Sequence, residues 1–157
     1  MKIKRHLEDV AQTSITTGVL NALINGIING FLVKGKTEIF LTVDSISNNE
    51  YTVMGGAVIL ATSLAVILTS IGYFTFKSAK KPTYFPKGFM LTLKNAFFTF
   101  GVITSLSILL QRFAGSIAVA PISSAIIVAV IAGLVAGIID YLTIKELLRN
   151  HYNSSKN

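Results

Sequence analysis

The chain has 157 residues, of which 52% are hydrophobic and only 13% charged, with 14 Lys and Arg against 7 Asp and Glu and no cysteine. A soluble domain carries about 25% charged residues, so this deficit, with a mean hydropathy of +0.65, points to lipid as the solvent. Lack of cysteine excludes a disulfide framework and thiolate metal sites. The net charge of +7 lies in short loops and tails, not on a basic-aromatic surface, which argues against nucleic acid as a partner.

Four apolar segments, residues 12–33, 53–76, 88–111 and 119–142, are each long enough to span a bilayer, because about 20 residues at a rise of about 1.5 Å cover the roughly 30 Å hydrocarbon core. The predicted fold is therefore all-α, an integral membrane four-helix bundle forming a single transmembrane domain over 1–157. Lys2, Lys4 and Arg5 resemble the start of a signal peptide. Glu8 and Asp9 interrupt it, and the following run is too long and polar for a cleavable core, so the segment is expected to be retained.

The first segment is the least ordinary. On a helix, Thr17, Asn21, Asn25 and Asn29 form one i, i+4 row, and Gly18, Ala22, Gly26 and Gly30 form the next. Amides at membrane depth require a protein partner or a polar cavity. Such a row drifts about 40° per step, which suits a strongly crossed partner helix. Two readings stay open: a hydrogen-bonded seam, or the lining of a path for a small polar solute.

The first connection carries β-branched and aromatic residues over Thr37–Val43, then turn-like Asp44-Ser45 and Asn48-Asn49. It predicts either a short extracytoplasmic β-like segment or a solvated loop. Glu38, Asp44 and Glu50 there form a weak cation site or simply a solvated acidic loop. The second segment holds the small row Ala57, Ala61, Ala65 and Thr69. The second connection contains Pro82 and Pro86, which bar a continuous helix, with Tyr84 and Phe85 placed to anchor at headgroup level and lysines placed to face anionic lipid.

In the third segment Lys94 lies about two turns from its start. The third connection, Arg112 to about Ala118, is short and predicts a tight hairpin between the third and fourth helices. The fourth segment carries Ala125, Ala129, Gly133 and Gly137 at i, i+4 spacing, beside Ala132, Ala136 and Asp140. Together with Gly18, Gly26 and Gly30, such small residues let helices approach closely where lipid removes any hydrophobic drive between them. Asp140 and Lys94 are expected near one membrane face, where they pair at the mouth of a vestibule or separately reach the interface. The tail after Tyr141 is expected to continue as helix before fraying.

The two halves are faintly similar in parallel: EIFLTVDSIS and GSIAVAPISS occupy corresponding places, and Tyr73-Phe-Thr-Phe-Lys77 matches Tyr141-Leu-Thr-Ile-Lys145. Ten basic residues fall in the two tails and the second connection, against Lys34, Lys36 and Arg112 on the opposite side. The positive-inside rule then places both termini in the cytoplasm of a multi-pass protein of the cell (inner or plasma) membrane.

Enzyme signatures are missing. His6 and His151 sit in opposite tails, and no phosphate loop, nucleophile elbow or metal-ligand spacing occurs, so no catalytic residue, metal or cofactor is expected. The layout invites comparison with small multidrug transporters, but the first helix has amides where those carry a membrane glutamate. The expected function is a membrane protein acting as an oligomer or subunit, with a permease- or channel-like role. Thr17, Asn21, Asn25, Asn29, Lys94 and Asp140 would line its polar path. The alternative is a non-transporting interaction protein (accessory, immunity or assembly subunit). Expected partners are the lipid bilayer and either further copies of the chain or another membrane protein.

Overall fold

The computed structural model describes residues 2–42, 51–76 and 83–154. Four helices dominate: α1 Lys2–Leu32, α2 Val53–Thr75, α3 Phe89–Ala114 and α4 Pro121–Ser154. Each contains a stretch long and apolar enough to cross a membrane, as a multi-pass membrane protein requires. The chain thus has the helical membrane bundle that its composition predicts. The turns Asp44-Ser45 and Asn48-Asn49, the acids Asp44 and Glu50, and the lysines 77, 80 and 81 lie outside the described residues.

Helix limits follow local chemistry. Thr52 caps α2 by accepting the Gly55 N–H at 3.0 Å. Pro121 opens α4, at a position where a missing N–H costs nothing. Between α2 and α3 the chain makes an irregular turn, Tyr84–Gly88, where Phe85 is extended (φ −95°, ψ 132°) before α3 begins. α1 and α4 outrun the predicted segments 12–33 and 119–142 at their tail ends. The added turns are polar, and a helix leaving the bilayer can continue in water.

Two short strands close the far end. β1 (Ile39–Phe40) pairs antiparallel with β2 (Ala118–Val119), in register Ile39 to Val119 and Phe40 to Ala118. The Leu41 N–H adds a bond to the Ile117 carbonyl at 2.7 Å, and the Met54 N–H bonds the Leu41 carbonyl at 3.0 Å. Thr42 donates to the Gly115 carbonyl at 3.1 Å. The segment predicted over Thr37–Val43 is thus in part a strand, and its partner comes from the third connection. Both strands follow glycines at positive φ, Gly35 (84°) and Gly115 (69°), conformations an L side chain rarely adopts.

The strand pair gathers the ends of α1 and α3 with the starts of α2 and α4. Both tails and the α2–α3 turn therefore share the opposite end. Laterally, α4 packs extensively on α1 and on α2, and α2 packs on α3, giving the order α1–α4–α2–α3. The tight α3–α4 hairpin does not form: these two helices touch only briefly despite their short link. The packing faces of α4 are already occupied, its small row by α1 and its buried row of Val128, Ala132, Val135 and Ile139 by α2. This order is what a two-fold axis between the α–β–α halves would generate, with α1 on α4 matching α3 on α2. The halves are unequal in detail: Tyr73 is buried against Tyr84 (ring centroids 5.4 Å apart), whereas Tyr141 is half-buried with the Lys145 ammonium 5.6 Å from its ring.

The core lies along α4. Ala57, Ala61, Ala65 and Thr69 of α2 are buried, as are Val128, Ala132, Val135, Ala136, Ile139 and Thr143 of α4. α2 and α4 therefore meet through small side chains, where dispersion and backbone proximity take the place of a hydrophobic drive. α1 is an edge helix, with Ile15, Leu23, Ile27 and Phe31 all more than half exposed and thus turned to lipid.

Candidate functional site

The seam between α1 and α4 joins both features singled out in the sequence. A Cβ placed on Gly18 would stand 2.8 Å from the Gly133 carbonyl oxygen, and one on Gly133 would stand 2.9 Å from the Ala22 Cβ. The same construction on Gly137 meets the Ser14 carbonyl at 3.2 Å, and on Gly26 the Ala129 Cβ at 2.9 Å with the Ala125 carbonyl at 3.9 Å. The two small rows therefore lie against one another. Gly30 drops out, with nothing within 4 Å of a Cβ there. Three i, i+4 steps from Gly18 rotate it about 120° away from α4.

The same rotation sorts the polar row. Asn29 swings into the seam, where it is 4% exposed, donates to the Tyr51 hydroxyl at 2.8 Å and accepts from the Ser124 hydroxyl at 3.3 Å. At the other end Ser14 donates to Asp140 Oδ2 at 2.9 Å and Thr17 reaches the same oxygen at 3.5 Å. Asn21 and Asn25, between them, are half-buried and turn their amide N–H groups onto the Thr17 and Asn21 carbonyls of their own helix, each at 2.9 Å. Among the described residues no donor meets either side-chain oxygen. The polar row thus runs the length of the α1–α4 contact, bonded at both ends and open in the middle. On the other edge of the seam Ile15, Val19, Leu134 and Ile138 border an open apolar groove of about 570 Å³.

Asp140 and Lys94 do not form a pair. Asp140 is buried against α1 hydroxyls, whereas Lys94 is exposed on α3, in a cleft with Lys87 and Glu146. Among the described residues the one ion pair is Arg149 with Glu146, at 2.6 Å. Asp140→Ala would strand the Ser14 hydroxyl, which is 3% exposed; it is expected to destabilise the fold by about 1–2 kcal/mol. Asp140→Asn keeps an acceptor and should cost less than about 0.5 kcal/mol. Unfolding in mixed micelles checks the pair; no loss in Asp140→Ala would show that the hydroxyl–carboxylate contact contributes nothing.

Spacing rules alone do not single out a second polar cluster. Asn95 of α3, 3% exposed, donates to Thr69 at 3.0 Å and to Thr143 at 3.2 Å, and Thr143 donates to Thr69 at 3.4 Å. This node ties three helices together. Next to it the Tyr84 hydroxyl lies 3.1 Å from both Ser70 and Thr92. Tyr73 donates to the Thr83 carbonyl at 2.9 Å, which fixes the α2–α3 turn onto α2. The signal available in sequence is Thr69 ending an alanine row and Asn95 as the one asparagine of the third apolar segment.

Among the described residues no group of three or more His, Cys, Asp or Glu side chains could hold a metal ion. The side chains of His6 and His151 lie outside the described set. Comparison with protein-family models, curated proteins and solved structures returns no match.

Proposed function

We propose that this multi-pass protein is non-enzymatic and acts as an oligomer, with the polar edge of α1 lining a route for a small polar solute where copies meet. The carrying observation is the open middle of the polar row, where Asn21 and Asn25 keep unmet amide oxygens at membrane depth. An amide with one N–H engaged still offers a second N–H and an acceptor, so two copies related by a two-fold axis can satisfy each other reciprocally. Ser14 with Asp140 at one end, and Asn29 with Ser124 at the other, are bonded within the α1–α4 seam and anchor α1 so that this edge is held in place. The excess of basic residues around the tails orients both termini to the cytoplasm and the strand pair outward, in a plasma-type membrane.

Asn21→Leu with Asn25→Leu tests this reading, because neither side chain bonds another helix within the chain. The expected result is an intact fold with loss of the oligomer, read by light scattering in detergent and crosslinking in native membrane. Solute flux through liposomes should fall in parallel. A wild-type chain that is monomeric in both settings would sink it. A second reading, docking of another protein's helix, is favoured by the row order α1–α4–α2–α3, which leaves α1 at an edge. A stoichiometric foreign chain on pull-down, lost in the same double variant, would select that reading.

A further inference from the structure

At the end of the bundle that carries both tails, a cleft of about 430 Å³ opens between the end of α2, the Tyr84–Gly88 turn, the first turns of α3 and the tail-side turns of α4. Lys87 and Lys94 line it, and both are exposed. Glu146 lines it as well, but its carboxylate is held by Arg149 at 2.6 Å, so the local acid is already matched. Two ammonium groups remain without an anion among the described residues.

Depth identifies the kind of anion. Lys94 stands 20 residues before Ala114, the last residue of α3 at the strand end. At about 1.5 Å per residue that is roughly 30 Å, one hydrocarbon thickness, which puts its ammonium at the headgroup boundary. The helix face that bears Lys94 is otherwise apolar and open. Met90 lies four residues before it and is 61% exposed; Phe97 and Phe98 follow at three and four residues and are 71% and 55% exposed. The cationic cleft therefore continues directly into a lipid-facing apolar stripe. A free phosphate would use only the first of these features, whereas an anionic phospholipid uses both.

We propose that this cleft is a binding site for an anionic phospholipid, its phosphate between Lys87 and Lys94 and an acyl chain along Met90, Phe97 and Phe98. Leu91 and Leu147 form the apolar wall beneath the headgroup. A zwitterionic lipid brings a choline or ethanolamine cation to two lysines and is disfavoured.

The test is native mass spectrometry of the full chain released from nanodiscs of phosphatidylcholine mixed with phosphatidylglycerol. One phosphatidylglycerol should be retained in preference to phosphatidylcholine. In K87Q/K94Q retention should fall about twenty-five-fold, from roughly fivefold per lysine near a membrane surface. K34Q/K36Q, at the strand end, should retain the lipid as wild type does, and K87R/K94R should keep most of the binding. Helical circular dichroism of each variant reports that the fold is kept. Equal retention in K87Q/K94Q and wild type would overturn the site. Displacement of the lipid by inorganic phosphate at equal concentration would overturn the lipid assignment in favour of a soluble phosphate.

Discussion

Gly18→Leu is expected to pull α1 away from α4 and destabilise the fold by about 3 kcal/mol, at the upper end of overpacking costs. The atom that a new Cβ would meet at 2.8 Å is the Gly133 carbonyl oxygen, part of a helix backbone that cannot rotate aside. Helix propensity works in the opposite sense, since replacing glycine gains roughly 0.8 kcal/mol in a helix interior. The steric term wins because Gly133 is itself closed in: a Cβ there would lie 2.9 Å from the Ala22 Cβ and 3.1 Å from the Gly18 carbonyl oxygen. Gly30→Leu and Gly101→Leu supply the contrast. Nothing lies within 4 Å of a Cβ at either position, so only the propensity gain remains and both should be neutral or slightly stabilising. Unfolding in mixed micelles, with proteolysis of α1 as a second readout, measures all three. If Gly18→Leu behaves like Gly30→Leu, the α1–α4 contact is not a close glycine seam.

That contrast also shows where sequence reasoning reaches and where it stops. The four spans are legible because lipid demands long apolar helices, and the small rows on α1 and α4 are legible because periodicity places them on one face. Spacing at i, i+4 groups Gly30 with Gly18 and Gly26 because the row looks like a straight line in sequence. On the helix that line winds, and a partner crossing it meets only part. Asn29 and Asn21 belong to one row for the same reason, yet one is buried in the seam and the other is at its margin. The pairing of β1 with β2 joins residues about 80 positions apart through two-residue strands. No local pattern encodes such a partner, although the matching places of EIFLTVDSIS and GSIAVAPISS hint at it.

Helix order is the least accessible property. A short link between α3 and α4 argues for a hairpin, because short connections usually join neighbours. Here α4 carries two packing faces about a third of a turn apart, the small row Ala129–Gly133–Gly137 and the buried row Val128–Ala132–Ile139. α1 and α2 supply the small-residue rows that match them, so close packing on both sides outweighs proximity along the chain. α3 is left to α2, and its polar residue Asn95 reaches past α2 to α4. The charges follow the same logic: Asp140 goes with the α1 face and Lys94 stays on the outside of α3.

Asn95 gives the second large effect. Asn95→Leu preserves approximate size and apolar character but removes the donor shared by Thr69 and Thr143, both fully buried at 0% exposure. The two hydroxyls can still bond each other, at the longer 3.4 Å already observed. The expected loss is about 2 kcal/mol, set by leaving buried polar groups incompletely met and not by the worth of two membrane hydrogen bonds, which average only about 0.6 kcal/mol each. Asn95→Asp should be worse, because it brings a charge into a site that is 3% exposed and has no cation among its bonded partners. The decisive comparison is the triple variant Asn95→Leu, Thr69→Val, Thr143→Val. Removing donor and acceptors together leaves nothing unpaired, so it should recover most of what Asn95→Leu alone loses. A triple variant as unstable as Asn95→Leu alone would mean that the cluster holds α2, α3 and α4 by its bonds themselves. Recovery would mean that any well-filled apolar node does so, and that the amide there selects one helix register over others.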